Sequence, residues 1–160
     1  MLTEYTTYDD IRAALGVAPE EITDEVLALT SYEQILTFDL YALTPAIGPY
    51  YLALSGTLSA DQERFKDLMQ VYATYVIAQH LLTSLPMFGP QNIKDAKTEL
   101  QRVSDPYKGT RAGVISFYNL MRARLLAAYL VLVPGAPVAA APIFNAIASI
   151  PLGADPVTGV

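Results

Sequence analysis

The chain has 160 residues and a mass of 17.4 kDa, is 52% apolar and 16% charged, and carries a net charge of −6, which is enough for one ordinary domain and short for two. With no cysteine and one histidine, it cannot be a disulfide scaffold, a cysteine-based zinc or iron–sulfur protein, a thiol enzyme or a multi-histidine metal site. An acidic chain without clustered Lys or Arg has no footprint for nucleic-acid backbone binding, and charge this sparse points to surface covered by partners or by lipid.

Residues 1–10 contain acids and no base, the wrong sign for a secretory or transit leader, so the expectation is a chain made in the cytoplasm. Thr7 is a good N-cap with Asp10 three residues on, Ile11, Ala14 and Leu15 give an apolar face, and Gly16 is a ready stop; this predicts a helix over 8–15. After a linker with Pro19, Thr23 opens a second helix with Asp24 and Glu25 in its first turn. Val26, Leu27, Leu29, Tyr32, Ile35, Leu36, Leu40 and Tyr41 carry its apolar pattern to about Leu43. Pro45, Gly48 and Pro49 break that pattern, and 50–58 fits a strand or a short helix, with helix favoured.

Ser59 and Gln62 form a capping-box pair ahead of a third long helix that ends at Leu85-Pro86. Phe65, Leu68, Met69, Tyr72, Val76 and His80 lie on one stripe of it. Residues 86–105 form a loop followed by a polar segment that suits either a helical turn or two or a small hairpin. Asp105-Pro106 then starts a last helix running to Val133, with Val114, Phe117, Met121, Leu125 and Ala128 on its buried side. Arg111, Arg122 and Arg124 are its charges, with stems able to lie on apolar surface.

From Pro134 the character changes. Five of the eleven prolines fall in 134–160, together with three glycines and seven alanines, and neither helix nor central strand tolerates that frequency. Ile143, Phe144, Ile147, Ile150 and Leu152 are nevertheless apolar and charge is nearly absent, unlike a disordered tail. The pattern predicts a mainly α chain: a small bundle of about four helices over 1–133, and an extended Pro/Ala-rich arm over 134–160 that lies on another protein surface. Deleting the arm is expected to leave the helices folded. No formal charge occurs in 125–154, yet Pro134, Gly135 and Pro137 leave only 125–133 as a clean apolar run, too short to span a bilayer, so no membrane is expected.

Charge is also uneven along the chain. Residues 1–63 hold eleven acids against Arg12 alone, whereas 64–124 hold nine Lys/Arg against four acids. Two such halves either face solvent or meet head to tail between copies. The pairs Asp9-Asp10, Glu20-Glu21 and Asp24-Glu25 sit near helix starts, where the dipole explains them, and His80 lies among Val76, Ile77 and Leu81, which suits a core or interface histidine better than a base. Phosphate loops, dinucleotide fingerprints and nucleophile elbows are absent from the sequence, and no cofactor or metal is expected. Among eleven tyrosines, Tyr50 and Tyr51 beside Pro49 are the pair expected at an interface.

The order of these elements resembles the head–tail connector, or adaptor, proteins of tailed bacteriophages. The likeness runs from the capped helix at 7–16 and the acidic turn Thr23-Asp24-Glu25, through the long helix from Ala60 to Leu85 and the Met-Phe-Gly-Pro segment, to Ile93-Lys94-Asp95 and Asp105-Pro106-Tyr107. It covers about residues 7–130. The resemblance implies no enzyme but a structural virion protein, made in the host cytoplasm and placed at the head–tail interface. It would form a ring, usually of about twelve copies, below the portal protein. Such a ring extends the DNA channel, lets the genome pass without sequence-specific contacts, and docks the next neck or tail component. Tyr50, Tyr51, Arg111, Arg122, Arg124 and the arm residues Ile143, Phe144, Ile147, Ile150 and Leu152 are the expected interface. The alternatives are a small helical tail-completion or other binding module acting as a monomer or dimer, and, further off, an enzyme using carboxylates and His80.

Overall fold

A computed structural model describes residues 1–84, the short strands Lys94–Asp95 and Thr98–Glu99, and residues 108–137. The chain is mainly helical, as the spacing predicts. After a 3₁₀ turn at Leu2–Glu4 come α1 (Tyr8–Leu15), α2 (Asp24–Leu27), α3 (Thr30–Leu43), α4 (Ile47–Ala53), α5 (Ala60–Ser84), β1 and β2, and α6 (Lys108–Leu132). The two strands pair antiparallel, Lys94 with Glu99 and Asp95 with Thr98, so the polar segment holds a small hairpin.

The caps act where the sequence puts them. The Thr7 hydroxyl accepts from the Asp10 amide at 3.1 Å, and Gly16 closes α1 at φ +68°, a left-handed conformation that costs glycine little. At α5 the box is reciprocal: Gln62 N–H donates to Ser59 Oγ and Ser59 N–H donates to Gln62 Oε1 at 2.9 Å.

α5 is the central rod. α6 runs antiparallel beside it, pairing Leu82 with Arg111, Tyr72 with Tyr118 and Phe65 with Tyr129 along their length. α1 and α3 pack on its other sides. Phe65, Met69, Tyr72, Val76, Ile77 and Leu82 of α5 are all but inaccessible, and they join Ile11, Leu27, Leu36, Ile47, Leu125 and Tyr129 in one core. Two polar ties cross it. Thr6 and Thr74 hydroxyls meet at 2.6 Å, and Asp39 accepts from the phenols of both Tyr72 and Tyr118.

Several local expectations are corrected. The helix expected from Thr23 to Leu43 is two helices, broken at Ala28 and Leu29, where Leu29 is extended at ψ 129°. Leu27 and Leu36 are nine residues apart and would point in opposite directions on one helix at about 100° per residue. The break turns both into the core. α4 begins ahead of Pro49 rather than after it. Proline is tolerated there because first-turn amides have no intrahelical acceptor. On α6 the buried stripe is Val114, Met121, Leu125 and Tyr129, while Phe117 sits at its edge, partly exposed, with its ring 4.6 Å from that of Tyr75.

His80 is exposed, not a core residue. Near the end of α5 the buried face shifts to Ile77, Ala78, Leu81 and Leu82, which leaves His80 outside. The arm's Ile143, Phe144, Ile147, Ile150 and Leu152, and the helix start at Asp105-Pro106, lie outside the described residues.

Candidate interaction surface

The acidic pairs have structural employment. Arg12, buried beneath α1, donates through Nη1 to Asp9 at 3.0 Å, through Nη2 to Asp24 and through Nε to the Ile22 carbonyl at 2.8 Å. The one base of the acidic half therefore ties α1 to the start of α2. Asp10 accepts from the Gln70 amide at 3.0 Å, and with the Thr7 hydroxyl this holds its carboxyl below the usual carboxylate range. Thr23 does the same for Glu25. Burial, reinforced by the Asp39 charge, pushes the Tyr72 phenol far above its ordinary range, so it stays a donor. Among the described residues, no three His, Asp or Glu side chains come close enough to hold a metal ion.

Tyr50 and Tyr51 are half-buried on α4 and act as its anchors. Tyr50 meets Phe65 and Tyr129 edge to face, at 5.6 and 5.5 Å between centroids. Tyr51 stacks on Tyr5 at 5.1 Å and donates its hydroxyl to the Glu4 carbonyl at 3.0 Å. Each ring keeps an open edge, and each spends most of its area inside the chain.

The three α6 arginines do not converge. Arg111 donates to the Leu82 carbonyl at 3.4 Å, in the last turn of α5, where a cation complements the helix dipole. Arg122 lies on the Tyr118 side, near enough to lower the cost of ionising that phenol, and its buried Nε has no hydrogen-bond partner among the described residues. Arg124 is exposed in the opposite seam with Arg64 and Asp61, lining a cleft of about 240 Å³ that Val131 also borders.

The larger openings are apolar. A groove of about 410 Å³ runs between α1 and α5, floored by Ala14, Val71, Thr74 and Tyr75 and closed by Phe117. A second, of about 400 Å³, lies between the amino-terminal turn, α3 and α4, with Tyr41, Pro45, Pro49 and Leu52 along it and Glu4 and Glu33 at one end. Phe38 and Tyr41 stand out from α3 at 72% and 64% exposure, one helical turn apart. Glu20, Glu21, Asp24 and Glu25 are exposed next to the uncovered Val26 and Leu29.

The outer side of α6 is the longest such surface. Ala112, Ser116, Leu120, Ala123 and Ala127 are all exposed and follow one another at three- and four-residue steps. None is charged. Sequence reasoning missed this face because it read the helix only for its inward stripe and its three arginines. The signal was the absence of Lys and Glu on the far side. By length and composition, Gly109–Leu132 is also apolar enough to cross a membrane, so the short run at 125–133 understates the helix as folded. In this fold its inner stripe is occupied by α5.

Fold and surface together define a mainly α chain whose exposed large apolar side chains, among the described residues, are spread over α2, α3, α4 and α6. No protein-family model, curated protein or solved structure matches this chain.

Proposed function

We propose that this chain is a structural virion protein: a head-to-tail connector that assembles as a ring below the portal, extends the DNA channel and docks the next neck or tail component. The observation that carries the reading is α6. It is 25 residues long and buried along one stripe only, with an uncharged far side. An uncharged line of alanine, serine and leucine on the side away from α5 is a surface that another protein can cover. Phe38, Tyr41 and Leu52 add a second uncovered apolar ridge on α3 and α4, and two separate ridges suit a subunit with a neighbour on each side.

Charge supports the same reading. The acids of residues 1–63 and the bases of 64–124 make a chain that complements its own copy head to tail, a contact that closes into a ring under the right rotation. A net negative protein around a DNA channel also avoids holding phosphates by counterion release. The likeness in element order to phage connectors supplies the name of the assembly.

Quantitative peptide mass spectrometry of purified particles from a phage that encodes this chain tests the reading. The expected result is about twelve copies per particle, matched to the portal. A chain found only in the soluble lysate, as a stable dimer, overturns it in favour of a small helical binding module.

A further inference from the structure

Phe38 and Tyr41 form an aromatic ridge on the side of α3 opposite Leu36, Leu40 and Leu43, the residues that face the core. They remain 72% and 64% exposed. Glu4 and Glu33 share the groove beside Tyr41, and the only base in residues 1–63 is Arg12, which is buried. The cleft of about 240 Å³ between the first turns of α5 and the last turns of α6 has the opposite character. Arg64 and Arg124 border it with Asp61, over a floor of Ala127, Ala128 and the exposed Val131. We propose that the Phe38–Tyr41 ridge of one copy of this chain seats in the Arg64–Arg124 cleft of a second copy. The inference deepens the assembly reading and rests on it in one respect, that more than one copy is present.

Three observations select this partner. First, the chemistry of the two surfaces matches. A guanidinium is weakly hydrated and stacks on an aromatic face, and the carboxylates beside Tyr41 favour the same cations. The alanines and Val131 give the rings an apolar floor, and Asp61 offers the Tyr41 phenol an acceptor.

Second, both surfaces belong to the same folded chain and do not meet there. No residue of α3 lines the cleft, and the exposure of Phe38 and Tyr41 shows that nothing in their own chain covers them. A contact between ridge and cleft therefore joins two copies.

Third, these are the cations that the fold leaves open. Among the described arginines, Arg12 is buried and paired, Arg111 donates to the Leu82 carbonyl and Arg122 is half-buried, whereas Arg64 and Arg124 are exposed. Neither of those two has a hydrogen-bond or ion-pair partner among the described residues, although Asp61 shares their cleft. Because ridge and cleft are different surfaces, each copy offers one to each neighbour, and the contact runs head to tail.

Sedimentation velocity of full-length chains tests the proposal. Phe38→Ser with Tyr41→Ser removes the ridge and keeps the cleft, while Arg64→Glu with Arg124→Glu removes the cleft and keeps the ridge. All four side chains are exposed, so both variants should keep the parent's helix signal by circular dichroism. The expected parent sediments as species larger than a dimer, and each variant alone as a monomer. An equimolar mixture of the two is expected to form a dimer and nothing larger, since one ridge and one cleft remain to pair.

A parent that stays monomeric, variants that assemble as the parent does, or a mixture that stays monomeric overturns the proposal. The outcome is separable from the connector reading. Mixed dimers of a chain that is absent from particles would keep the contact and remove that reading, and particles that hold both variants at the parent's copy number would do the reverse.

Discussion

The phenol of Tyr118 on α6 donates to the carboxylate of Asp39 on α3, at 3.0 Å to one oxygen and 3.2 Å to the other. Tyr72 of α5 donates to the same carboxylate, and its ring stacks on that of Tyr118 at 5.7 Å. One acid therefore joins three helices at the middle of the bundle. Asp39→Ala leaves the buried Tyr72 hydroxyl without its acceptor and is expected to cost about 1–3 kcal/mol. Tyr118→Phe keeps the Tyr72 bond and is expected to cost about 1 kcal/mol, so urea unfolding should rank the two in that order.

The two sides of α6 should respond differently. Leu125 is fully buried, and truncation to alanine is expected to remove about 2–5 kcal/mol of stability. Leu120 lies on the far side of the same helix, and its truncation should change the stability of the isolated domain by no more than about 0.5 kcal/mol. Denaturant midpoints of both variants, at a concentration where the chain is monomeric, check the contrast. A large loss for Leu120→Ala would mean that its own chain covers that face.

Gly16 offers a test free of packing effects. A Cβ built there meets nothing within 4 Å, so the whole penalty of Gly16→Ala comes from the left-handed backbone at φ +68°. The expected cost is about 1 kcal/mol, seen as a lower melting temperature with an unchanged helix signal by circular dichroism.

Acid should loosen the contact between α1 and α5. Asp10 has a folded pKa depressed below its ordinary 3.8, first by the Thr7 hydroxyl and then by the Gln70 amide. A depressed carboxylate adds stability that is fully present above the unfolded value and is lost as pH falls through the folded one. Asp10→Asn is therefore expected to lower stability at pH 7, and the difference from the parent should disappear as the pH falls below 3.8 and through the depressed pKa. Melting curves of both proteins across that range check the sign.

Much of this architecture is local chemistry, and that part is legible from the residues. Thr7, Asp10 and Gly16 bound α1, and Ser59 with Gln62 starts α5, because caps act within one turn and depend on nothing distant. The break at Ala28 and Leu29 is tertiary in origin. Neither residue is a helix breaker, and only the demand that Leu27 and Leu36 share one core ends α2 there. His80 falls on the periodic stripe of α5 yet lies outside, since the identity of the neighbouring helix changes along the rod while the period does not. The uncovered face of α6 was hidden for a related reason: periodicity reports which side of a helix is apolar, and this helix is apolar on both.

The account's central claim is that these surfaces are covered by protein at the junction of phage head and tail. Electron microscopy of particles carrying a gold-labelled tag on this chain tests it most directly. The account predicts a single cluster of label at the portal vertex of intact particles. Label spread over the capsid, at the distal end of the tail, or missing from purified particles would contradict it.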